Sequence, residues 1–244
     1  AVVAADLTFL PVLAAFLAWP LLRERNRNTP LLLVLLVLWL CNATFHLGLF
    51  RGDVALSRQA LLAAVNFALI LVTVIGGRIT PSFTATALRQ RGVEGAVRAP
   101  RGMTAVTVAL MIAVAAVDLV QPGGVSARWL ALAAAIAQAA RLVQWQGWRT
   151  LHEPLVWILH LAYAWLPFGL ALKALAILTG MTAAAFWLHA LTIGALATMI
   201  LGVMTRVSLG HTGRPLRIQP LVTLAYLLVA AAALVRVFGA WLPG

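Results

Sequence analysis

Long charge-free apolar runs recur along the chain. Residues 28–50, 59–77, 154–172 and 218–235 contain no Asp, Glu, Lys or Arg; nor does 174–205, which Gly180 interrupts near its start. Weaker runs cover 7–22, about 103–121 with Asp118 near its end, and about 128–146 with Arg141 inside. A helix crossing ~30 Å of hydrocarbon needs roughly 20 such residues. The pattern therefore predicts eight helices, at about 4–22, 30–50, 58–78, 103–121, 128–147, 153–173, 182–205 and 218–239. Between the third and fourth, residues 79–102 contain Pro81, Gly92, Gly95, Pro100 and Gly102, and read as an irregular connector.

Composition agrees. Of the 244 residues 63% are hydrophobic and only 10% charged, against about 25% charged in an ordinary soluble domain. A soluble enzyme and a disordered chain are both excluded. The sequence predicts an all-α, polytopic transmembrane helix bundle of about eight spans, in one domain over 1–244. The single cysteine, Cys41, excludes an intrachain disulfide, and no CxxCH haem-attachment site is present.

The net charge of +12 sits in the loops. In a soluble protein it would suggest nucleic acid; here it orients the bundle, and no nucleic-acid partner is expected. Alternate loops carry thirteen and five of the 18 Lys and Arg, so the richer side, with Arg78, Arg206 and Arg214, faces the cytoplasm. Lys173 counts on the poorer side. Both ends then face outward. An outward start without Met suits a chain that has lost preceding spans.

Ionisable residues inside spans are costly and face the bundle interior. His46 and His189 lie roughly 9 and 6 Å outward of their span centres, and His160 roughly 5 Å toward the cytoplasm. His46 and His189 share a level, with Asn42 one turn from His46 and Thr192 near His189. Each imidazole can have one nitrogen held by a neighbour and the other free for metal; the plain alternative is a histidine bonded inside the bundle. Gly194, Thr198 and Gly202 form a small-residue ridge for close helix packing. Two cytoplasmic helix ends, 76–84 and 204–214, join glycines, hydroxyls and arginines. Such a set can hold a carboxylate, a phosphate or a haem propionate, or be a glycine-terminated helix with snorkelling arginines.

The segment HALTIGALATMILGVMTRVSLGHTGRP, 189–215, resembles the hallmark of the NnrS family. GGRITPSFT, 76–84, and LHLAYAWLPFGL, 159–170, resemble two further signatures, in the expected order. The resemblance implies about twelve spans, haem and copper as cofactors, and a role in nitric oxide metabolism, denitrification and tolerance of nitrosative stress. It covers roughly the carboxy-terminal two-thirds of such a protein: the HAHEM-type motif and about four spans are absent. His160, His189, His211, Arg78, Arg206 and Arg214 carry over by matching the signatures; His46 is proposed from its depth. His46, His160, His189 and His211 are thus the candidate metal ligands, and Arg78, Arg206 and Arg214 the candidate cofactor-binding cations. The expected setting is the bacterial inner membrane, with nitric oxide or a related small molecule as ligand and the redox partner open. A transporter or channel with proton-relaying histidines is the rival reading, and a structural subunit completed by another chain a third.

Overall fold

The computed structural model describes residues 2–23, 29–180 and 186–239. Among them all regular structure is helical. Ten labelled segments, α1 Val2–Arg23, α2 Pro30–Arg51, α3 Val54–Leu71, α4 Gly77–Arg89, α5 Arg101–Val120, α6 Val125–Val143, α7 Pro154–Thr179, α8 Phe186–His189, α9 Thr198–His211 and α10 Pro220–Phe238, form eight rods. A π-helical turn, Val72–Gly76, joins α3 to α4, and a second, Ala190–Ala197, joins α8 to α9. Seven rods are long and apolar enough to cross a membrane. The eighth, α6, carries Arg128, Gln138 and Arg141. The expected start of the seventh span at 182, and Arg25 and Arg27, lie outside the described residues.

The chain divides into two compact units, Ala1–Phe67 and Ala68–Gly244. In the first, α1 and α2 pair through polar contacts between largely apolar helices. Trp39 Nε1 donates to the Leu7 carbonyl at 2.9 Å, and Asn42 and His46 both reach Asp6. Gly52 ends α2 at φ +67°, a left-handed conformation that glycine adopts without strain. The chain then reverses into α3, where Ser57 Oγ bonds the Phe45 carbonyl at 3.2 Å. Gly48 is what allows that approach, since a Cβ there would meet Ser57.

The second unit is built around α7, whose buried residues point in every direction. A helix hydrophobic all round belongs in the middle of a bundle. Against it α6 lays Ala127, Ala131, Ala134 and Ala135, a small-residue face that brings the axes close. The ridge read from sequence does the same on the other side: Gly194 lies against Trp165, and Gly202 against Ile158 and Leu159. Within the π-turn, Thr198 Oγ1 bonds the Ile193 carbonyl, five residues back, at 3.0 Å.

Two expectations change. The third span does not stop at 78: it runs to Arg89, and the connector shrinks to 90–100. Pro81 fails to break the helix because Thr80, Thr84 and Leu88, spaced by four, are all buried in register. Its missing N–H leaves only the Gly77 carbonyl unserved within the helix, and a side chain described below serves it. Nor is Lys173 a loop residue. The sixth span continues to Thr179, ended by Gly180 at φ +66°, and Lys173 is buried, paired with Asp118 of α5.

Candidate functional site

The interior of the second unit holds a polar centre made by α4, α5, α6, α7 and the first π-turn. Arg141, near the end of α6, is only 2% exposed. Its Nη1 donates to the Thr73 carbonyl at 2.9 Å, the Tyr163 hydroxyl at 3.0 Å and Thr107 Oγ1 at 3.2 Å. Its Nη2 donates to the Gly77 carbonyl and Thr104 Oγ1, both at 3.1 Å. The two carbonyls are available for local reasons. Pro81 has no N–H to give Gly77, and the Gly77 N–H turns to Ile75 rather than to Thr73. Gly77 also leaves the space the guanidinium fills, because a Cβ there would collide with it. The glycine pair and proline of the 76–84 signature thus become a receptor for a buried arginine.

Around the guanidinium the network closes. Tyr163 donates to Gln138 Oε1 at 2.6 Å, and Gln138 Nε2 donates to Thr73 Oγ1 at 3.1 Å. The guanidinium carbon lies 5.4 Å from the centre of the Trp145 ring, which meets Tyr163 edge-on at 4.5 Å. Every hydrogen-bond acceptor of Arg141 among the described residues is neutral.

His160 lies one turn from Tyr163 on α7, 9% exposed. Its Nε2 is 2.7 Å from Thr84 Oγ1, and Thr84 donates its only hydroxyl proton to the Thr80 carbonyl at 2.8 Å. Nε2 must therefore carry the proton, and the lone pair falls on Nδ1. The ring abuts Gly147, where a Cβ would collide with Nδ1. One nitrogen is thus fixed by a hydrogen bond and the other is a bare donor, which is how a ligand histidine is commonly oriented.

Within the second unit, neither His189 nor His211 joins it. Gly202 packs level with Leu159; His189, thirteen residues before Gly202, is roughly 20 Å from that level, and His211, nine after it, roughly 13 Å the other way. His189 is half-buried and His211 exposed. Thr192 gives its hydroxyl to the Leu188 carbonyl. His46, in the first unit, has Nε2 2.7 Å from Asp6 Oδ2, and Asn42 bonds that same oxygen at 2.9 Å. Asn42 therefore supports His46 through Asp6, an acid that the apolar pattern alone does not single out.

Haem and copper can be tested on these surroundings. No three His, Cys, Asp or Glu side chains lie together as a metal-binding group among the described residues. Against His160, the room a porphyrin needs is filled by Trp145, Gly147 and Thr84. Around His160 the packing thus leaves no room for haem, and the described residues hold no complete copper site.

The candidate cations differ in exposure. Arg206 lies over the ring of Phe83 at 3.9 Å and feels the Glu153 carboxylate. Since Gly76 also meets Met199, the 76–84 and 189–215 segments are neighbours. Arg78 is exposed within its segment, and Arg214 is exposed beyond the end of α9. The polar residues that do assemble, Arg141, Gln138, Tyr163, Thr73 and the Asp118–Lys173 pair, were not among the candidates. Their signal was present as charged or amide side chains within apolar runs.

The family model described as NnrS protein matches residues 1–244. Neither a curated protein nor a solved structure matches the chain.

Proposed function

The chain belongs to the NnrS family, a family of nitric oxide-related membrane proteins, and from that premise we propose that it serves tolerance of nitrosative stress in the bacterial inner membrane. The observation that carries this is convergence: the three segments that resemble the family signatures pack on one another, and two of them build one buried polar centre. The 76–84 segment receives Arg141, the 159–170 segment supplies His160 and Tyr163, and the 189–215 segment packs its glycines on α7. Intramembrane ionisable residues of this kind mark function by default.

Haem and copper enter as the family's cofactors, with His46, His160, His189 and His211 as the candidate ligands. Because the described residues do not complete either site, no chemical step is routed through a metal. Transport is the less favoured reading. Between Tyr163 and Lys173, roughly 15 Å along α7, Leu166 and Leu170 are no more than 1% exposed, so along that helix apolar side chains separate the two polar groups.

Deleting the gene should sensitise cells to a nitric oxide donor, and the intact gene should restore growth; a deletion strain as resistant as its parent would refute the reading. Haem and copper per polypeptide, measured in the full-length protein with His160→Ala, His46→Ala, His189→Ala and His211→Ala, decide the ligands separately. Loss of metal in one variant should identify that histidine as a ligand. Unchanged content in all four would remove these histidines from the site.

A further inference from the structure

Among the described residues Arg141 is a buried cation without an anion. Its acceptors are two main-chain carbonyls and three hydroxyls. The acid buried in the same unit, Asp118, is committed to Lys173. Burying a charge is tolerable when an opposite charge answers it, and otherwise costly. The surroundings add two further groups able to donate. Trp145 Nε1–H and the Thr80 hydroxyl are both buried with no hydrogen-bond partner. Trp145 lies under the guanidinium, and Thr80 is one turn along α4 from Gly77. A positive charge with surplus donors is chemically complementary to an anion.

We propose that the Arg141 centre binds a small monovalent inorganic anion. One charge needs neutralising, and the enclosure is tight: Thr80, Thr107 and Trp145 are fully buried. Of the five partners, Thr104 stands apart, part-exposed on the first turn of α5 beside exposed Arg101. The anion enters there, takes the place of the Thr104 hydroxyl on the guanidinium, and the hydroxyl turns to donate to it, since a threonine hydroxyl both donates and accepts. The exchange replaces a neutral acceptor with a charged one, and charge-assisted bonds are roughly twice as strong. Exposed Arg101, one turn before Thr104 on α5, raises the local anion concentration there. The inference goes beyond the stress-tolerance reading and stands whatever the metal content.

The test uses the full-length protein in detergent, with unfolding temperature followed as sodium gluconate is replaced by chloride or nitrite at constant ionic strength. A ligand that binds only the folded state raises the midpoint with its concentration. Chloride or nitrite should raise it saturably, and gluconate, too large to enter, should not. Loss of Arg141 strips the centre of its donors and threatens folding, so the deciding variant is Thr104→Val, which keeps the shape and removes the hydroxyl. It should fold as wild type and weaken the apparent affinity about tenfold. Trp145→Phe, which removes one unpartnered N–H, should weaken it less. A midpoint indifferent to the choice of anion, or a response that Thr104→Val leaves unchanged, overturns the proposal.

Discussion

Arg141 and Lys173 are both cations buried inside the second unit, yet they are accommodated in opposite ways. Lys173 meets a carboxylate, Asp118 of α5, and lies 5.1 Å from the centre of the Trp187 ring. Arg141 meets only dipoles, two of them carbonyls released by a proline and a π-turn in one helix. The first arrangement is a contact between two side chains, and any two helices can make it. The second is built into the backbone of α4 and cannot be moved without rebuilding that helix. A side-chain pair joins elements that could be joined otherwise; a backbone receptor requires its own sequence, here Gly76-Gly77 followed by Pro81.

The sharpest way to break the comparison is to remove one cation at a time. Lys173→Met leaves a carboxylate buried without its counter-charge, a change that costs about 3–5 kcal/mol. The double variant Asp118→Leu, Lys173→Met should return to within about 1 kcal/mol of wild type, because a buried pair can be replaced by apolar side chains at little cost. Midpoints of SDS-induced unfolding measure both. A double variant as unstable as the single would mean that the pair acts as more than a side-chain contact.

Arg141→Met should cost about 3 kcal/mol, because it leaves the buried Thr73 and Gly77 carbonyls without their donor, and an unsatisfied buried acceptor costs about 1–3 kcal/mol. Here no single partner substitution should rescue it, since the orphaned acceptors include the main-chain oxygens of Thr73 and Gly77. Recovery of stability on pairing Arg141→Met with Tyr163→Phe would show that the phenol, and not the backbone, is the principal acceptor.

The spans were legible because a charge-free apolar run of about 20 residues matches the thickness of the hydrocarbon layer and is too long for an ordinary core helix. The end of the third span was not, because Gly76, Gly77 and Pro81 are ordinary breakers when taken singly. Only their joint arrangement with Thr80, Thr84 and Leu88 on one buried face shows that the helix continues. Arg141 was visible as a charge in a weak span, but its partners come from four other segments, and sequence does not say which helices are neighbours. The family signatures pointed to segments that pack together in the second unit, but not to the side chains that assemble inside it. Arg78 and Arg214 are exposed, while Gly77 and Pro81 beside Arg78 make the receptor for Arg141. Asp6 is inconspicuous as a lone acid near a chain end, although Asn42 and His46 on one face of α2 are what it bonds.

The smallest effect falls on Tyr163, and it separates the two roles its hydroxyl plays. The oxygen accepts from Arg141 at 3.0 Å and donates to Gln138 at 2.6 Å. Tyr163→Phe removes both bonds but keeps the ring that meets Trp145 edge-on. Arg141 retains four other acceptors, so its charge is not stranded. Gln138 keeps Thr73 Oγ1 as the acceptor for its amide N–H, so only its Oε1 loses a donor. Polar contacts between membrane helices average about 0.6 kcal/mol, with a maximum near 1.7. A loss of about 1 kcal/mol is therefore expected, well below that of Arg141→Met. A loss equal to that of Arg141→Met would mean that the phenol holds the guanidinium in place, and the contrast between a side-chain pair and a backbone receptor would fail.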